Sequence, residues 1–208
     1  GTFLREMFGS IDPALAKGRT VSVREVLDEG ALRLDGAFAD QPIAESALLT
    51  GPLEPTNQWY AIAKIAGLKL AEAFRVEHGC DFISVMPTNL YGPGDNFEPA
   101  AAHVLPALLR RAHEAAEAGA ERLVVWGSGA PLREMMYVDD LADACVFLLE
   151  RYSGATFLNA GSGEEFAIAD LARKAAAVAG FAGEIVFDAS KPDGTPRKRL
   201  DTSALAAL

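Results

Sequence analysis

The chain has 208 residues, half of them hydrophobic, and sets 19 Lys and Arg against 29 Asp and Glu for a formal net charge of −10. That is enough apolar material for one sizeable core, and so acidic a balance excludes a nonspecific nucleic-acid groove. Cys80 and Cys145 lack metal-ligand spacing, no apolar run is long enough to span a bilayer and no signal-peptide pattern opens the chain, so the expectation is a cytoplasmic protein with no metal, nucleic-acid or membrane partner.

Residues 1–40 carry no recognisable motif. Before residue 60 no strand runs into a Gly-x-x-Gly-x-x-Gly or Gly-x-Gly-x-x-Gly turn, the feature that receives a dinucleotide pyrophosphate. Residues 41–56, QPIAESALLTGPLEPT, are rich in proline and turn-forming residues and read as an ordered surface loop. A long helix follows, started by Thr56 or Asn57 and ended at His78-Gly79, with apolar residues from Ala61 to Phe74. It sets Tyr60 and Lys64 one turn apart on one face, where a nearby cation favours the phenolate and suits the tyrosine to acid or base work. Taken alone, Tyr-x-x-x-Lys is a common surface pairing.

Residues 81–86, DFISVM, read as a buried strand closing at Pro87, which makes helix and strand the second half of a βαβ unit in a parallel sheet. PTNLYGPGDNF then lies at the strand's C-terminal end, where open α/β sheets place their ligand crevice; its composition also suits a plain turn. The next predicted helix spans 104–118. His103 stands at its start and Arg110 and Arg111 follow its apolar stripe, either as phosphate ligands or as solvated charges. VVWGSGAPLRE reads as a strand into a glycine turn, with Trp126 able to stack on a base or fill the core. YVDDLADACVFLLE is a capped helix with an apolar face at Val138, Leu141, Ala142, Cys145, Leu148 and Leu149. A short strand, a glycine turn whose residues 163–165 cap a helix, and that helix, ending at Gly180, come next. The chain finishes with a strand, EIVFD, and an exposed loop, KPDGTPRK.

QPIAESALLTGPLEPTNQWYAIAKIAG, SVMPTNLYGPGDNF, VVWGSGAPLRE, YVDDLADA and FDASKPDGTPRK, in this order, resemble the GDP-L-fucose synthases of the extended short-chain dehydrogenase/reductase family, from about Gln41 to the C-terminus. The resemblance implies an enzyme that uses NADPH to epimerise GDP-4-keto-6-deoxy-D-mannose at C3 and C5 and reduce it at C4. It makes Tyr60, Lys64 and His103 the catalytic residues. Tyr60 would protonate the C4 oxygen, Lys64 would support it and hold the nicotinamide ribose, and His103 would serve the epimerisation. Lys64, Pro87, Thr88, Asn89, Leu90 and His103 would border the cofactor; Arg111, Trp126, Arg133, Asp193 and Lys198 would hold the nucleotide sugar. A homodimer paired through the Tyr60–Lys64 helix is also implied.

The expected fold is α/β, a partial Rossmann-like parallel sheet with a small C-terminal substrate-binding lobe. Residues 1–40 form an unmatched lead, 41–100 the C-terminal part of the Rossmann-like domain, and 101–208 mainly the substrate lobe, with 138–162 returning to the Rossmann-like part. Two departures bear on activity. The Ser-Ser-Cys-Ile-Tyr-Pro block that precedes the QPI loop in the family is replaced by LRLDGAFAD at 32–40, and the glycine-rich turn is missing. The expectation is therefore impaired activity and weak NADPH binding in this chain. The alternative is an inactive sugar-nucleotide-binding or dimerisation module.

Overall fold

In the computed structural model, which describes residues 40–53, 55, 57–99 and 101–208, the first long element is α1, Gln58–His78. Asn57 stands at its N-cap, and Gly79, at φ 65°, closes it with its N–H on the Arg75 carbonyl, a left-handed stop that glycine takes without strain. Only Ala61 of this helix is buried, although its sequence is apolar. Two short strands follow, β1 (Val85–Pro87) and β2 (Asn89–Tyr91). Then come α2 (Val104–Glu117), β3 (Arg122–Trp126), β4 (Leu132–Tyr137), α3 (Val138–Arg151), β5 (Leu158–Ala160) and β6 (Glu165–Ala167). The chain ends with α4 (Ile168–Val178), β7 (Glu184–Asp188), β8 (Arg197–Lys198) and α5 (Ser203–Ala206).

The pairings are mostly parallel, as the α/β expectation requires. β1 pairs with β5, β2 with β4, β3 with β7, and β8 with β4; among the described residues only β6 runs antiparallel, against β4. β4 is thus the hub, holding β2 on one side and β6 and β8 toward its start. The main core lies where α2 and α4 pack on β3. Small Ala112, Ala172, Ala175 and Ala176 let the helices approach closely, while Leu108, Leu171, Leu123 and Val125 fill the space between. Strict alternation along β3 buries Leu123 and Val125 and turns Arg122, Val124 and Trp126 outward.

Several local expectations change in the folded chain. The strand expected at 81–86 is confined to Val85–Pro87, and Asp81 before it is bonded to Arg75 and to the Ser153 hydroxyl at 2.8 Å. The turn at 163–165 does not cap α4. It leads into β6, and α4 starts instead with the Ile168 and Ala169 N–H groups on the carbonyls of Pro131 and Gly129. The 41–56 loop is more than a surface loop: Ile43 is buried, bridges Leu200 and donates to the Arg199 carbonyl at 2.8 Å. Along α3 only Leu148 is buried, and Leu149 is 72% exposed. Cys80 and Cys145 are both free and half-buried. The proposed cap Thr56 and the departure at 32–39 lie outside the described residues.

Candidate functional site

One cleft, with a volume of about 240 Å³, collects residues from six separated segments, Ile168 at the start of α4 among them. β2 contributes Asn89 and Leu90, the start of α2 contributes His103 and Val104, and β3 contributes Trp126. Pro131, Arg133 and Met135 come from β4 and its approach, and Pro192, Asp193 and Gly194 from the loop before β8. Six of the twelve positions singled out in the sequence, Asn89, Leu90, His103, Trp126, Arg133 and Asp193, therefore share one lining.

The local chemistry explains why they meet. Asn89 Nδ2 donates to the Glu134 carbonyl at 2.8 Å, and the Thr88 hydroxyl donates to the same oxygen at 3.3 Å, so PTNL is tied side-on to β4. His103 is the N-cap of α2 in extended conformation, its carbonyl accepting from Ala107 N–H. The path from β2 to α2 is shaped by an asparagine turn: Asn96 accepts from Glu98 N–H at 2.9 Å, and Asp95 accepts from Asn96 N–H at 2.7 Å. Trp126 is 65% exposed, and the Lys191 ammonium stands 5.6 Å from its ring centroid. Arg133 donates from Nη1 to the carbonyls of Leu132 and Thr195, at 2.7 and 2.6 Å. Asp193 accepts from the Ser128 hydroxyl at 2.7 Å and the Ser128 N–H at 2.8 Å. Those two bonds, with a weaker contribution from the Arg133 charge, hold its carboxyl below the ordinary value against the opposing effect of desolvation.

The other six positions lie elsewhere. Tyr60 and Lys64 share a face of α1, with the ammonium 5.5 Å from the ring centroid. Pro87 sits in β1 and Thr88 is buried beside β4. Arg111 is absent from the cleft lining, because its guanidinium donates to the Val124 carbonyl on β3. It lies mid-helix, as does Arg110, which pairs with Glu114 at 2.7 Å. Lys198 is opposite Arg133 in the β4–β8 register but lines a different, small cavity with Ile43, Leu48 and Met86.

The family model that matches, the NAD dependent epimerase/dehydratase family, spans residues 30–166. The chain belongs to this family. Its match begins inside the 1–40 lead, so part of that lead lies within the matched span. Among curated relatives, GDP-L-fucose synthase 1 of Arabidopsis thaliana is 61% identical over 186 residues, covering 89% of this chain and 58% of its own length. GDP-L-fucose synthase of Escherichia coli (strain K12) is 50% identical over 195 residues, covering 89% of this chain and 61% of its own length. A crystal structure of a GDP-L-fucose synthetase from Naegleria fowleri bound to NADP superposes with a TM-score of 0.78 at 35% identity, covering 82% of this chain and 55% of that one. The chain thus spans about six-tenths of the curated relatives it matches.

Within this family member, two residues of the site area escaped the sequence reading. Glu134 is fully buried and accepts from Gly163 N–H at 2.7 Å and Leu200 N–H at 2.9 Å, fastening the turn after β5 and the segment after β8 to β4. An acid between Arg133 and Met135 inside a strand is the signal that could have found it. Ser128, between two glycines, holds Asp193; nothing in Gly-Ser-Gly by itself predicts a partner 65 residues away. Among the described residues, no helix is long and apolar enough to cross a membrane.

Proposed function

We propose that this chain is the substrate-side portion of a GDP-L-fucose synthase, acting with NADPH on GDP-4-keto-6-deoxy-D-mannose. The observation that carries the reading is the convergence of Asn89, Leu90, His103, Trp126, Arg133 and Asp193 on one cleft, together with relatives of that name at 50% and 61% identity. An exposed indole and a guanidinium lining one cleft suit a purine base and a diphosphate, by stacking and by charge-assisted hydrogen bonds. Arg111 and Lys198 extend this group only from outside the cleft described above.

The residues present fit the nicotinamide end of the cofactor. Asn89, tied to the Glu134 carbonyl, lines the cleft together with Leu90 and His103. Pro87 and Thr88 continue that border into β1, and Lys64 would reach the ribose. NADPH, when bound, supplies the hydride for reduction at C4. By the family's Tyr-x-x-x-Lys pattern, Tyr60, on α1 outside that lining, would give the C4 oxygen its proton, and Lys64, whose ammonium stands 5.5 Å from the Tyr60 ring centroid, would favour the charged phenolate that remains. His103 exchanges protons at the carbons flanking the ketone, work for which an imidazole is suited near neutral pH. No Gly-x-Gly-x-x-Gly turn occurs in the chain, so cofactor affinity here rests on the nicotinamide side alone.

In this reading residues 41–100, with 138–162 returning through the β1–β5 pairing, belong to the Rossmann-like part, and most of 101–208 forms the substrate lobe. The protein is cytoplasmic and pairs as a homodimer through α1, whose Trp59, Ile62, Leu70 and Val76 are exposed. Calorimetry with GDP, GDP-mannose and NADPH on the 208-residue chain tests the assignment. GDP and GDP-mannose are expected to bind, and NADPH to bind weakly. Absence of GDP binding overturns the reading; GDP binding without oxidation of NADPH in the presence of the keto sugar identifies a binding module instead.

A further inference from the structure

Between β7 and β8 the chain runs along the cleft, which its Pro192, Asp193 and Gly194 help to line, as a strap pinned at both ends. Gly127 N–H holds the Asp188 carbonyl at 3.0 Å, and Leu132 N–H holds the Pro196 carbonyl at 2.8 Å. Between these pins, alternate residues face the wall made by β3, the 127–131 turn and β4. Lys191 stands over Trp126, Asp193 meets Ser128, and the Thr195 carbonyl accepts from Arg133. The middle contact is two-pronged, with two donors of one residue on two oxygens of the other. It also needs a close approach: a Cβ on Gly127, at φ 83°, would lie 2.3 Å from Asp193 Oδ1. Two of the three wall residues, Trp126 and Arg133, are those the nucleotide-sugar reading assigns to the ligand. The strap therefore occupies part of their surface.

We propose that Ser128 is a positioning residue for the nucleotide-sugar cleft, fastening the strap through Asp193 so that a nucleoside diphosphate enters by displacing Lys191 from Trp126 while the Asp193 fastening stays closed. The role of Ser128 rests on the reading above for its ligand, but the fastening itself does not. Hydroxyl and N–H together fix where Asp193 and its neighbours Pro192 and Gly194 stand at the cleft.

Hydrogen-exchange mass spectrometry of the ligand-free 208-residue chain tests the fastening. S128A and D193N should each raise exchange across 189–196 by about fivefold, a modest factor because the contact is exposed, while S128T should remain near wild type. D193N retains the turn's own bond from Ala130 N–H to Ser128 Oγ at 3.1 Å, so it separates loss of the strap from loss of the turn. Wild-type exchange in S128A overturns the proposal. GDP calorimetry tests the second half: S128A and D193N should each weaken binding several-fold, and the double variant should be no weaker than D193N, because the two act as one unit. Losses that add would mean that Asp193 meets the ligand independently of Ser128, and would overturn the positioning role. If wild type binds no GDP, the nucleotide-sugar reading fails with it, and the exchange data alone decide whether Ser128 fastens the strap.

Discussion

Replacing Glu134 by glutamine removes almost no volume and should nevertheless be among the most damaging single changes in this chain. The side chain is fully buried, and its two oxygens accept one backbone N–H each, from Gly163 at 2.7 Å and from Leu200 at 2.9 Å. An amide has one acceptor oxygen. Whichever way it is turned, its NH₂ faces a backbone donor, so one charge-assisted bond is lost and one buried N–H is left unsatisfied. The first loss is worth about 1.5–3 kcal/mol and the second about 1–3 kcal/mol, offset in part because a buried charge no longer has to be desolvated. A net cost of about 2–4 kcal/mol follows, which lowers the melting temperature by roughly 5–15 °C in a domain of this size. Urea unfolding followed by circular dichroism, with the midpoint compared at constant slope, measures it directly. Crowding at Gly161 should produce a similar loss, since a Cβ there would lie 2.3 Å from Glu134 Oε1. A Glu134→Gln variant within about 0.5 kcal/mol of wild type would refute the argument that this carboxylate joins β4 to its two neighbouring segments.

The remaining predictions concern charge and catalysis. The hydrogen bond from Arg197, aided by the charges of Arg197 and Arg199 and opposed by burial, lowers the Glu165 carboxyl from its ordinary value of 4.5. Because the folded value is the lower one, the stabilisation is complete above 4.5 and is lost as pH falls through the folded value; acid unfolding of Glu165→Gln should be flatter than wild type across that window, and parallel curves would contradict it. In a chain extended to the length of the relatives, Lys64→Met should cost about a hundredfold in ketone reduction at neutral pH, measured by NADPH absorbance; an unchanged rate removes Lys64 from the chemistry. In the same form, His103→Gln should suppress solvent deuterium exchange at C3 and C5 by about a hundredfold while reduction of an already epimerised keto sugar changes by less than about threefold. Mass spectrometry of the recovered sugar reads both, and undiminished exchange excludes His103.

Much of the architecture was legible in the chain because it depends on short-range rules. Helical periodicity and a glycine stop set the end of α1 at Gly79, and the strand read from VVW was found as β3; that Leu123 and Val125 point inward and Trp126 outward came with the structure. The ordered blocks that resemble GDP-L-fucose synthases pointed to the family, and the residues 30–166 that match its model overlap most of them. What the chain could not declare was partnership across long separations. Ser128 meets Asp193 because β3 pairs with β7 and β4 with β8, and Glu134 meets both Gly163 and Leu200 because β4 pairs with β6 and β8. Arg111 and Lys198 carry the charge expected of substrate ligands. Packing nonetheless decides that Arg111 lies on the Val124 carbonyl and that Lys198 lines a separate cavity. Residue type thus determined which chemistries were possible, whereas direction and distance, which set the strength of every hydrogen bond and charge contact, came only from how the strands and helices pack.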